Sequence, residues 1–201
     1  MSVLSRVCVF CGSSPGSNPA FSRAARQLGT SLAGRGIGLV YGGASVGLMG
    51  VVADAALGAG GQATGVITES LAGHEIAHAE LSHLQVVRTM HERKAHMAEL
   101  SDGFIMLPGG FGTYEEFMES VTWAQLGIHS KPCGILNVEG FFDDLLSFLS
   151  RAVAMEFIKS AQLERIVITD DVGELLDAMG ATAQARPRQR PRQDSNLRPL
   201  D

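Results

Sequence analysis

The residues with the clearest chemical meaning form a glycine-rich turn, Pro-Gly-Gly-Phe-Gly-Thr-Tyr-Glu-Glu, which begins at Pro108 directly after the apolar residues 104–107. An apolar run that leads into such a turn is typical of a strand followed by a helix. The first backbone N–H groups of a helix lack partners and lie at the positive end of its dipole, so they bind phosphate. Glycines let the backbone approach an anion closely, and Glu116 would lie within one helical turn of it. The turn therefore predicts nucleotide chemistry.

A second set of chemically suggestive residues lies just upstream, where Met90, Arg93, Lys94 and Met97 are spaced i, i+3, i+4 and i+7. That spacing places all four side chains on one face of a helix. Burying two cations without partners is costly, which favours an anion-binding pocket over a core-facing stripe. A solvated face with extended basic side chains is the alternative, but the nearby glycine turn favours the pocket.

Glu116 has two orientations that the sequence leaves open. Thr113 and Glu116 match a capping box, in which Thr113 is the N-cap residue and Glu116 bonds back to its own backbone. In the other orientation the carboxylate of Glu116 faces the pocket. The first arrangement makes Glu116 a stabilising residue of its own helix, and the second makes it available for chemistry.

Two further turns rich in small residues follow apolar runs. Residues 11–16 read Cys-Gly-Ser-Ser-Pro-Gly, and residues 42–50 read Gly-Gly-Ala-Ser-Val-Gly-Leu-Met-Gly. Neither contains the dinucleotide-binding G-x-G-x-x-G pattern or the phosphate-binding G-x-x-x-x-G-K-[ST] pattern. Each alone suits an ordinary tight turn, but three such turns at one edge of a sheet favour a ligand that they share. Ser13, Gly42 and Gly43 are therefore candidate binding residues.

These motifs are set in a regular alternation of apolar runs and longer segments of helical period. The predicted strands are residues 6–10, 37–41, 63–67, 84–87, 103–107, 132–136 and 165–168, and the predicted helices are residues 19–35, 48–57, 90–100, 113–126, 141–155 and 172–179. The strands show little alternation, as expected for strands that are buried on both faces. Repeated strand–helix units predict an α/β fold with a doubly wound, Rossmann-like parallel sheet, helices on both faces and ligands at the carboxyl ends of the strands.

Composition is consistent with one domain followed by a distinct tail. The chain has 201 residues, of which 45% are hydrophobic and 18% charged, and this predicts a single globular domain with a substantial core, over residues 1–183. The glycine-rich turns predict that this domain binds a nucleotide. Residues 184–201 are rich in Arg and Pro and lack an apolar face, so we expect them to be disordered. Residues 186–201 carry five arginines and two aspartates, which leaves the rest of the chain at a net charge of −8. This net negative charge of residues 1–185 argues against nucleic-acid binding.

Other features of the sequence predict the compartment. No apolar stretch is long enough to span a bilayer, and the first residues lack the long apolar region of a signal peptide. The three cysteines fit a reducing environment. We therefore expect a cytoplasmic protein without membrane contact.

Two patterns that suggest a metal site are better explained otherwise. His74-Glu75-Ile76-Ala77-His78 matches the zinc-protease pattern H-E-x-x-H, but it lies in a short loop-like region and lacks the extended form of that pattern. Cys8 and Cys11 have the spacing of a metal-binding pair without a second pair. We expect no metal.

The two central motifs together resemble a known family. Met-His-Glu-Arg-Lys at residues 90–94 and Pro-Gly-Gly-x-Gly-Thr-x-x-Glu at residues 108–116 resemble the LOG (LONELY GUY) family, the cytokinin riboside 5′-monophosphate phosphoribohydrolases, which are often mislabelled as lysine decarboxylases. The similarity runs from about residue 7 to residue 179 and includes the early glycine turns. The arginine-rich end departs from the family pattern.

The resemblance implies hydrolysis of the N-glycosidic bond of N6-modified adenine riboside 5′-monophosphates and of AMP, with release of the free base and ribose 5-phosphate. It implies that Arg93 and Glu116 are the catalytic residues, that no metal or cofactor is used, and that the chain forms a homodimer. The nucleotide contacts that it implies are Glu75, Lys94, Gly110, Phe111, Gly112, Thr113 and Thr122. The turns and the helical stripe add Ser13, Gly42, Gly43, Gly109 and Met90. The apolar residues expected on the dimer-forming helix are Phe117, Met118, Val121, Trp123 and Leu126.

Two other classes of protein have parts of this pattern. A carrier that binds a nucleotide or cofactor without cleaving it needs the turns, but it does not need both Arg93 and Glu116. A lysine decarboxylase needs a lysine that binds pyridoxal phosphate, and the chain offers only Lys94, Lys131 and Lys159, none in recognisable surroundings for that role. Nothing in the residues favours the isopentenyl-adenine nucleotide over AMP or assigns a proton donor to the leaving base.

Overall fold

The fold is built on one sheet whose seven strands are all parallel. The computed structural model describes residues 4–72 and 77–185. The strands are β1 (Arg6–Phe10), β2 (Gly38–Tyr41), β3 (Ala63–Thr68), β4 (His83–Val87), β5 (Gly103–Met106), β6 (Cys133–Leu136) and β7 (Ile166–Thr169). They lie in the order β4-β3-β2-β1-β5-β6-β7, and every pairing is parallel. The predicted fold class is confirmed.

Helices cover both faces of this sheet. They are α1 (Pro19–Gly34), α2 (Gly47–Gly58), α3 (Glu69–Ala72), α4 (Met90–Leu100), α5 (Phe111–Gln125), α6 (Asp143–Ala154), α7 (Ser160–Leu163) and α8 (Val172–Ala185). One core lies under α1, α2 and α8, around Leu32, Val52 and Leu176. The other lies under α4 and α5, around Met97 and Phe117. Burial on both faces explains why the inner strands β1, β2, β3, β5 and β6 are largely apolar.

The order of the strands creates a crevice beside β1. The chain runs outwards from β1 to β4 and then returns to place β5 on the other side of β1. The helices that follow β1 and β5 lie on opposite faces of the sheet, so the turns that lead into them diverge. Ligands of doubly wound folds bind at such a point.

Local sequence determines where the helices on either side of this crevice begin. α1 begins after Asn18, whose side chain accepts the N–H of Ala20 at 2.9 Å, and Pro19 occupies the first turn. α4 begins with a capping box, in which Thr89 and Glu92 accept each other's backbone N–H.

The start of α5 differs from the prediction. The helix begins at Phe111 rather than at residue 113, with Gly110 as its N-cap residue. The C=O of Gly110 accepts the N–H of Tyr114 at 3.2 Å, which closes the first helical turn. Thr113 is therefore the third helical residue, and the capping box proposed for Thr113 and Glu116 is wrong. Gly110 has an extended backbone conformation and caps the helix without a side-chain hydrogen bond.

Other boundaries differ by a few residues. α8 continues to Ala185, so the first two residues assigned to the tail are helical. The tail from residue 186 onwards lies outside the described residues. The predicted helix 141–155 begins at Asp143, after a short 3-10 turn at Val138–Gly140. Among the described residues, no helix has the length and apolar character needed to cross a membrane.

His129 is a titratable group at the amino-terminal end of the sheet, away from the crevice. Its Nδ1 accepts the N–H of Lys131 at 3.2 Å, and its ring packs against Phe104 with 5.2 Å between the ring centroids. Burial and the nearby charge of Lys131 lower the pKa of His129 from 6.5 to about 4.

This lowered pKa predicts a loss of stability in mild acid. Below pH 6.5 His129 becomes protonated in the unfolded chain, whereas in the folded chain it stays neutral until about pH 4. The free energy of unfolding therefore falls as the pH falls from 6.5 to about 4. His129→Asn keeps an acceptor for the Lys131 N–H and removes the titration. We expect urea unfolding at pH 7 and pH 5 to show a smaller difference in this variant than in the wild type. His83→Asn, at an exposed position of β4, is the matched control, and an unchanged difference in His129→Asn would contradict the assignment.

Candidate active site

Three turns meet at the carboxyl ends of β1, β2 and β5. The N–H of Gly12, after β1, donates to the C=O of Pro108, after β5, at 3.0 Å. The N–H of Leu48, at the start of α2, donates to the C=O of Gly12 at 3.0 Å. The three glycine-rich turns predicted to lie together are therefore hydrogen-bonded into one surface.

Glycine is required where these turns touch. A Cβ atom on Gly47, whose φ is +59°, would lie 2.3 Å from the carbonyl carbon of Ser13. A Cβ atom on Gly109 would lie 2.1 Å from Oγ1 of Thr113. Gly110 and Gly112 differ, because within the described residues no atom lies within 4 Å of the Cβ position at either of them. These two positions at the start of α5 thus face open space.

Arg93 lies beneath this surface and is only 6% exposed. Its Nε donates to the C=O of Val66 at 2.9 Å, and its Nη2 donates to the C=O of Gly42 at 3.3 Å. Its Nη1 donates to Oε1 of Glu116 at 3.3 Å. One guanidinium therefore connects α4 to the carboxyl ends of β2 and β3 and to α5. A Cβ atom on Gly42 would lie 2.2 Å from Nη2, so this position has no room for a side chain.

Glu116 faces Arg93. Its side chain is 12% exposed, and its carboxylate lies in the buried ion pair with Arg93. A cation that is permanently charged beside this carboxylate stabilises the negative charge on Glu116. Of the two orientations that the sequence allowed, the one that faces the pocket is correct.

Lys94, the second cation of the helical stripe, has a different environment. Its side chain is 11% exposed, and its Nζ contacts carboxylate oxygens of Glu115 and of Glu119, the latter at 3.0 Å. Burial by itself lowers the pKa of Lys94, but the hydrogen bonds that Nζ donates to these carboxylates, together with their charge, outweigh it and the pKa is raised. The structure therefore pairs Lys94 with α5 instead of leaving it as an unpaired cation.

Three further predicted binding residues lie near the Arg93–Glu116 pair or at the start of α5. The sulfur of Met90 is 3.9 Å from Nη1 of Arg93. Phe111, the first residue of α5, is 95% exposed. Thr113 is buried against Gly109, as described above.

The other predicted binding residues lie farther from the Arg93–Glu116 pair or outside the described residues. Ser13 is exposed beside Gly47, and Gly43, with φ +80°, accepts the N–H of His78 at 3.0 Å. Thr122 is exposed further along α5, and its hydroxyl donates to the C=O of Met118. Thr122 is six residues beyond Glu116, about 9 Å along the helix axis, so one chain does not bring the two together. Glu75 lies outside the described residues.

An aromatic cluster packs against Tyr114, in the first turn of α5. Phe21 of α1 contacts Phe141 edge to face at 5.3 Å between ring centroids, and Phe141 contacts Phe142 at 4.9 Å. Phe142 in turn contacts Tyr114 at 6.2 Å. These edge-to-face contacts connect the helices that follow β1 and β5 across the crevice.

Sequence reasoning missed several groups at the site. Glu119 received no role, although its i+4 spacing from Glu115 signals a shared helix face. The role of the carbonyl groups of Val66 and Gly42 cannot be predicted from the sequence, because every residue has a backbone C=O.

Of the H-E-x-x-H motif, only Ala77 and His78 lie within the described residues, and His78 has protein partners. Nε2 of His78 bonds to Oδ1 of Asp54 at 2.8 Å, and Nδ1 accepts the N–H of Glu80 at 3.2 Å. Cys8 and Cys11 are free and buried, in the cores on opposite faces of the sheet. Across residues 4–72 and 77–185, no group of three or more His, Cys, Asp or Glu side chains is placed to hold a metal ion.

Comparisons with known proteins agree with this architecture. A family model described as "Possible lysine decarboxylase" matches residues 49–179. A solved structure, that of the molybdenum cofactor binding protein from the phototrophic bacterium Rippkaea orientalis, aligns with a TM-score of 0.67 over 88% of this chain and 95% of that chain. Its sequence identity is 24%, so this likeness concerns the fold alone.

Two plant proteins are much more similar in sequence. Probable cytokinin riboside 5′-monophosphate phosphoribohydrolase LOGL1 of Oryza sativa subsp. japonica is 48% identical over 187 residues, which cover 93% of this chain and 84% of that protein. Cytokinin riboside 5′-monophosphate phosphoribohydrolase LOG1 of Arabidopsis thaliana is 49% identical over 171 residues, 85% of this chain and 80% of that protein. This chain belongs to the LOG family of cytokinin riboside 5′-monophosphate phosphoribohydrolases.

Proposed function

We propose that the protein hydrolyses the N-glycosidic bond of N6-modified adenine riboside 5′-monophosphates, and of AMP, and so releases the free base and ribose 5-phosphate. The observation that carries this proposal is the buried pair of Arg93 and Glu116 beside the open glycine turn of α5. The relatives named for this reaction, at 48% and 49% identity over most of the chain, support it.

The substrate phosphate binds at the start of α5. The backbone N–H groups of the first helical turn point out of the helix end, where the dipole is positive. Gly110 and Gly112 leave open space beside them, so a phosphate can approach the backbone directly. This placement directs the ribose along α5 towards Glu116, one turn further on.

Glu116 acts on the sugar as the bond to the base breaks. Departure of the base leaves an oxocarbenium-like ribose with positive charge, which a fixed carboxylate stabilises. The same carboxylate is placed to activate the attacking water. Arg93 orients the carboxylate, because the guanidinium is itself fixed by the carbonyl groups of Gly42 and Val66.

Two other activities fit these residues less well. A carrier that binds a nucleotide without cleaving it gains nothing from a buried ion pair, which is costly to desolvate. A pyridoxal phosphate enzyme needs a lysine in the crevice. Lys94 is paired with two carboxylates, Lys131 lies at the opposite end of the sheet, and Lys159 is exposed before α7.

A cytoplasmic location and a homodimer are part of the proposal. Buried, free cysteines suit a reducing compartment. Among the apolar residues expected on the dimer surface, Phe117 is buried in the core and is therefore excluded. Phe111, Leu126 and Ile128 are 95%, 67% and 64% exposed, and they supply apolar surface along and just beyond α5.

The first prediction concerns the phosphate. We expect kcat/KM for base release from AMP and from isopentenyl-adenosine 5′-monophosphate to exceed that for adenosine by about 100-fold or more, since hydrogen bonds to a charged phosphate are strong. Chromatography of the free base from the three substrates measures this. Equal values for nucleotide and nucleoside would refute a phosphate site at α5.

The second prediction concerns the carboxylate. Glu116→Gln keeps the size of the side chain and removes its charge, so kcat is expected to fall on the order of 10²–10³-fold. Nucleotide binding should change little, because the charge acts mainly on the transition state. The melting temperature should fall, because the buried Arg93 loses its charged partner. Glu164→Gln, at an exposed position after α7, is the control. A near-normal kcat in Glu116→Gln would remove this residue from the mechanism.

The third prediction concerns assembly. Light scattering at micromolar concentration is expected to give twice the chain mass of 21.3 kDa. Leu126→Glu, which places a charge on the proposed surface, should shift the protein towards the monomer. Phe157→Glu, at an exposed apolar residue after α6, should not. A wild-type protein of monomer mass would contradict the homodimer.

A further inference from the structure

His78, the second histidine of the H-E-x-x-H motif, connects the segment before β4 to the helix α2. Its side chain is only 7% exposed, and its Nε2 bonds to Oδ1 of Asp54 in α2 at 2.8 Å. Its Nδ1 accepts the backbone N–H of Glu80 at 3.2 Å. Since the carboxylate of Asp54 is an acceptor, these contacts match the tautomer that carries its hydrogen on Nε2. Both ring nitrogens thus have partners, and the ring is held in one orientation.

The backbone of the same residue reaches the turn that follows β2. The N–H of His78 donates to the C=O of Gly43 at 3.0 Å, and the residue before it forms an antiparallel bridge with Ala44. The neighbouring carbonyl, that of Gly42, accepts Nη2 of Arg93 at 3.3 Å. The contacts from His78 and Arg93 therefore fall on consecutive carbonyl groups of one turn.

Two consecutive glycines make this turn dependent on contacts from outside. Gly42 and Gly43 have no side chains to restrict their backbone rotation, and φ of Gly43 is +80°. Glycine on both sides removes the usual steric barrier to turning over the peptide group between them, and such a rotation would point the carbonyl of Gly42 away from Arg93. The hydrogen bond from His78 holds the next peptide group and so opposes the rotation.

We propose that His78 is a positioning residue for the reaction, because it fixes the carbonyl of Gly42 that holds Arg93. Through that guanidinium it sets the direction of the Glu116 carboxylate, which Nη1 contacts at 3.3 Å. The pair with Asp54 keeps the ring, and with it the backbone of His78, in place. This inference rests on the proposed function.

The partner of His78 permits a test that spares the core. The side chain of Asp54 is 66% exposed, so Asp54→Ala removes the acceptor without opening a buried cavity. This variant should therefore fold even if His78→Ala does not. His78→Gln is the conservative change, because its side-chain amide can donate to Asp54 as Nε2 does.

The test compares His78→Ala, His78→Gln and Asp54→Ala with the wild type, with AMP as substrate and ribose 5-phosphate as inhibitor. His83→Ala, at an exposed position of β4, is the control. We expect His78→Ala to lower kcat about 10-fold or more, because misplacing a reacting group is costly. Asp54→Ala should lower kcat about three-fold or more, since it removes one hydrogen bond.

The other kinetic constants and the conservative variant distinguish positioning from other roles. In both alanine variants, KM and the inhibition constant of ribose 5-phosphate should stay within about two-fold of the wild-type values, because the phosphate binds at the start of α5. His78→Gln should keep kcat within about two-fold of the wild type, because one hydrogen-bond donor replaces another.

A purely structural role gives different results, since His78→Ala would then melt at a lower temperature but show a normal kcat while folded. A normal kcat in either alanine variant overturns the inference. So does a His78→Gln variant as slow as His78→Ala, or a rise of about 10-fold in KM and the inhibition constant. Melting curves identify the folded variants, and Asp54→Ala decides alone if His78→Ala does not fold. If the wild-type protein releases no base, the proposed function itself fails and this role falls with it.

Discussion

The guanidinium of Arg93 binds three parts of the chain that are distant in sequence. Its N–H groups reach the C=O of Val66 on β3, the C=O of Gly42 after β2, and the carboxylate of Glu116 on α5. An arginine so placed remains charged and needs acceptors around it, because an unpaired buried cation is unstable. The ends of β2 and β3 and the helix α5 therefore together supply the hydrogen-bond acceptors that this buried guanidinium needs. The position of the carboxylate, the absence of a side chain at Gly42 and the packing of α4 against the sheet all follow from it.

The charges at the crossing between α4 and α5 have a simple arrangement. Two cations on α4, Arg93 and Lys94, face three carboxylates on α5, which leaves the crossing with one net negative charge. The positive end of the α5 dipole lies next to it. In the proposed binding mode, the substrate meets positive potential at its phosphate and negative potential near its ribose. That polarity suits a reaction in which the phosphate stays anionic while the sugar gains positive charge.

Much of this arrangement can be predicted from the sequence, and the failures have physical reasons. Strand and helix positions follow from apolar periodicity. The misfit of a cation in an apolar stripe marks Arg93 as a candidate for a polar site, whereas its catalytic role is implied by the family resemblance alone. The start of α5 was misplaced because Thr113 and Glu116 match a capping box, whereas Gly110 takes the N-cap position with its backbone alone. The partners of Arg93 on β2 and β3 are carbonyl groups, which carry no side-chain signal. The pairing of Lys94 depends on how α4 crosses α5, and only the tertiary structure determines that angle.

The hydrogen bond from Gly12 to Pro108 has a consequence for how the protein folds. It joins a turn near the beginning of the chain to a turn past its middle, and Arg93 likewise bonds to a residue 51 positions away. Contacts of such long range form only after the chain has closed large loops, which is entropically costly and slow. No fragment that lacks β5 and α5 contains the site, and a partly folded chain has neither the crevice nor an oriented carboxylate. Catalytic activity therefore reports on the folding of the whole sheet, and any event that detaches β5 from β1 inactivates the protein before the rest of the structure is lost.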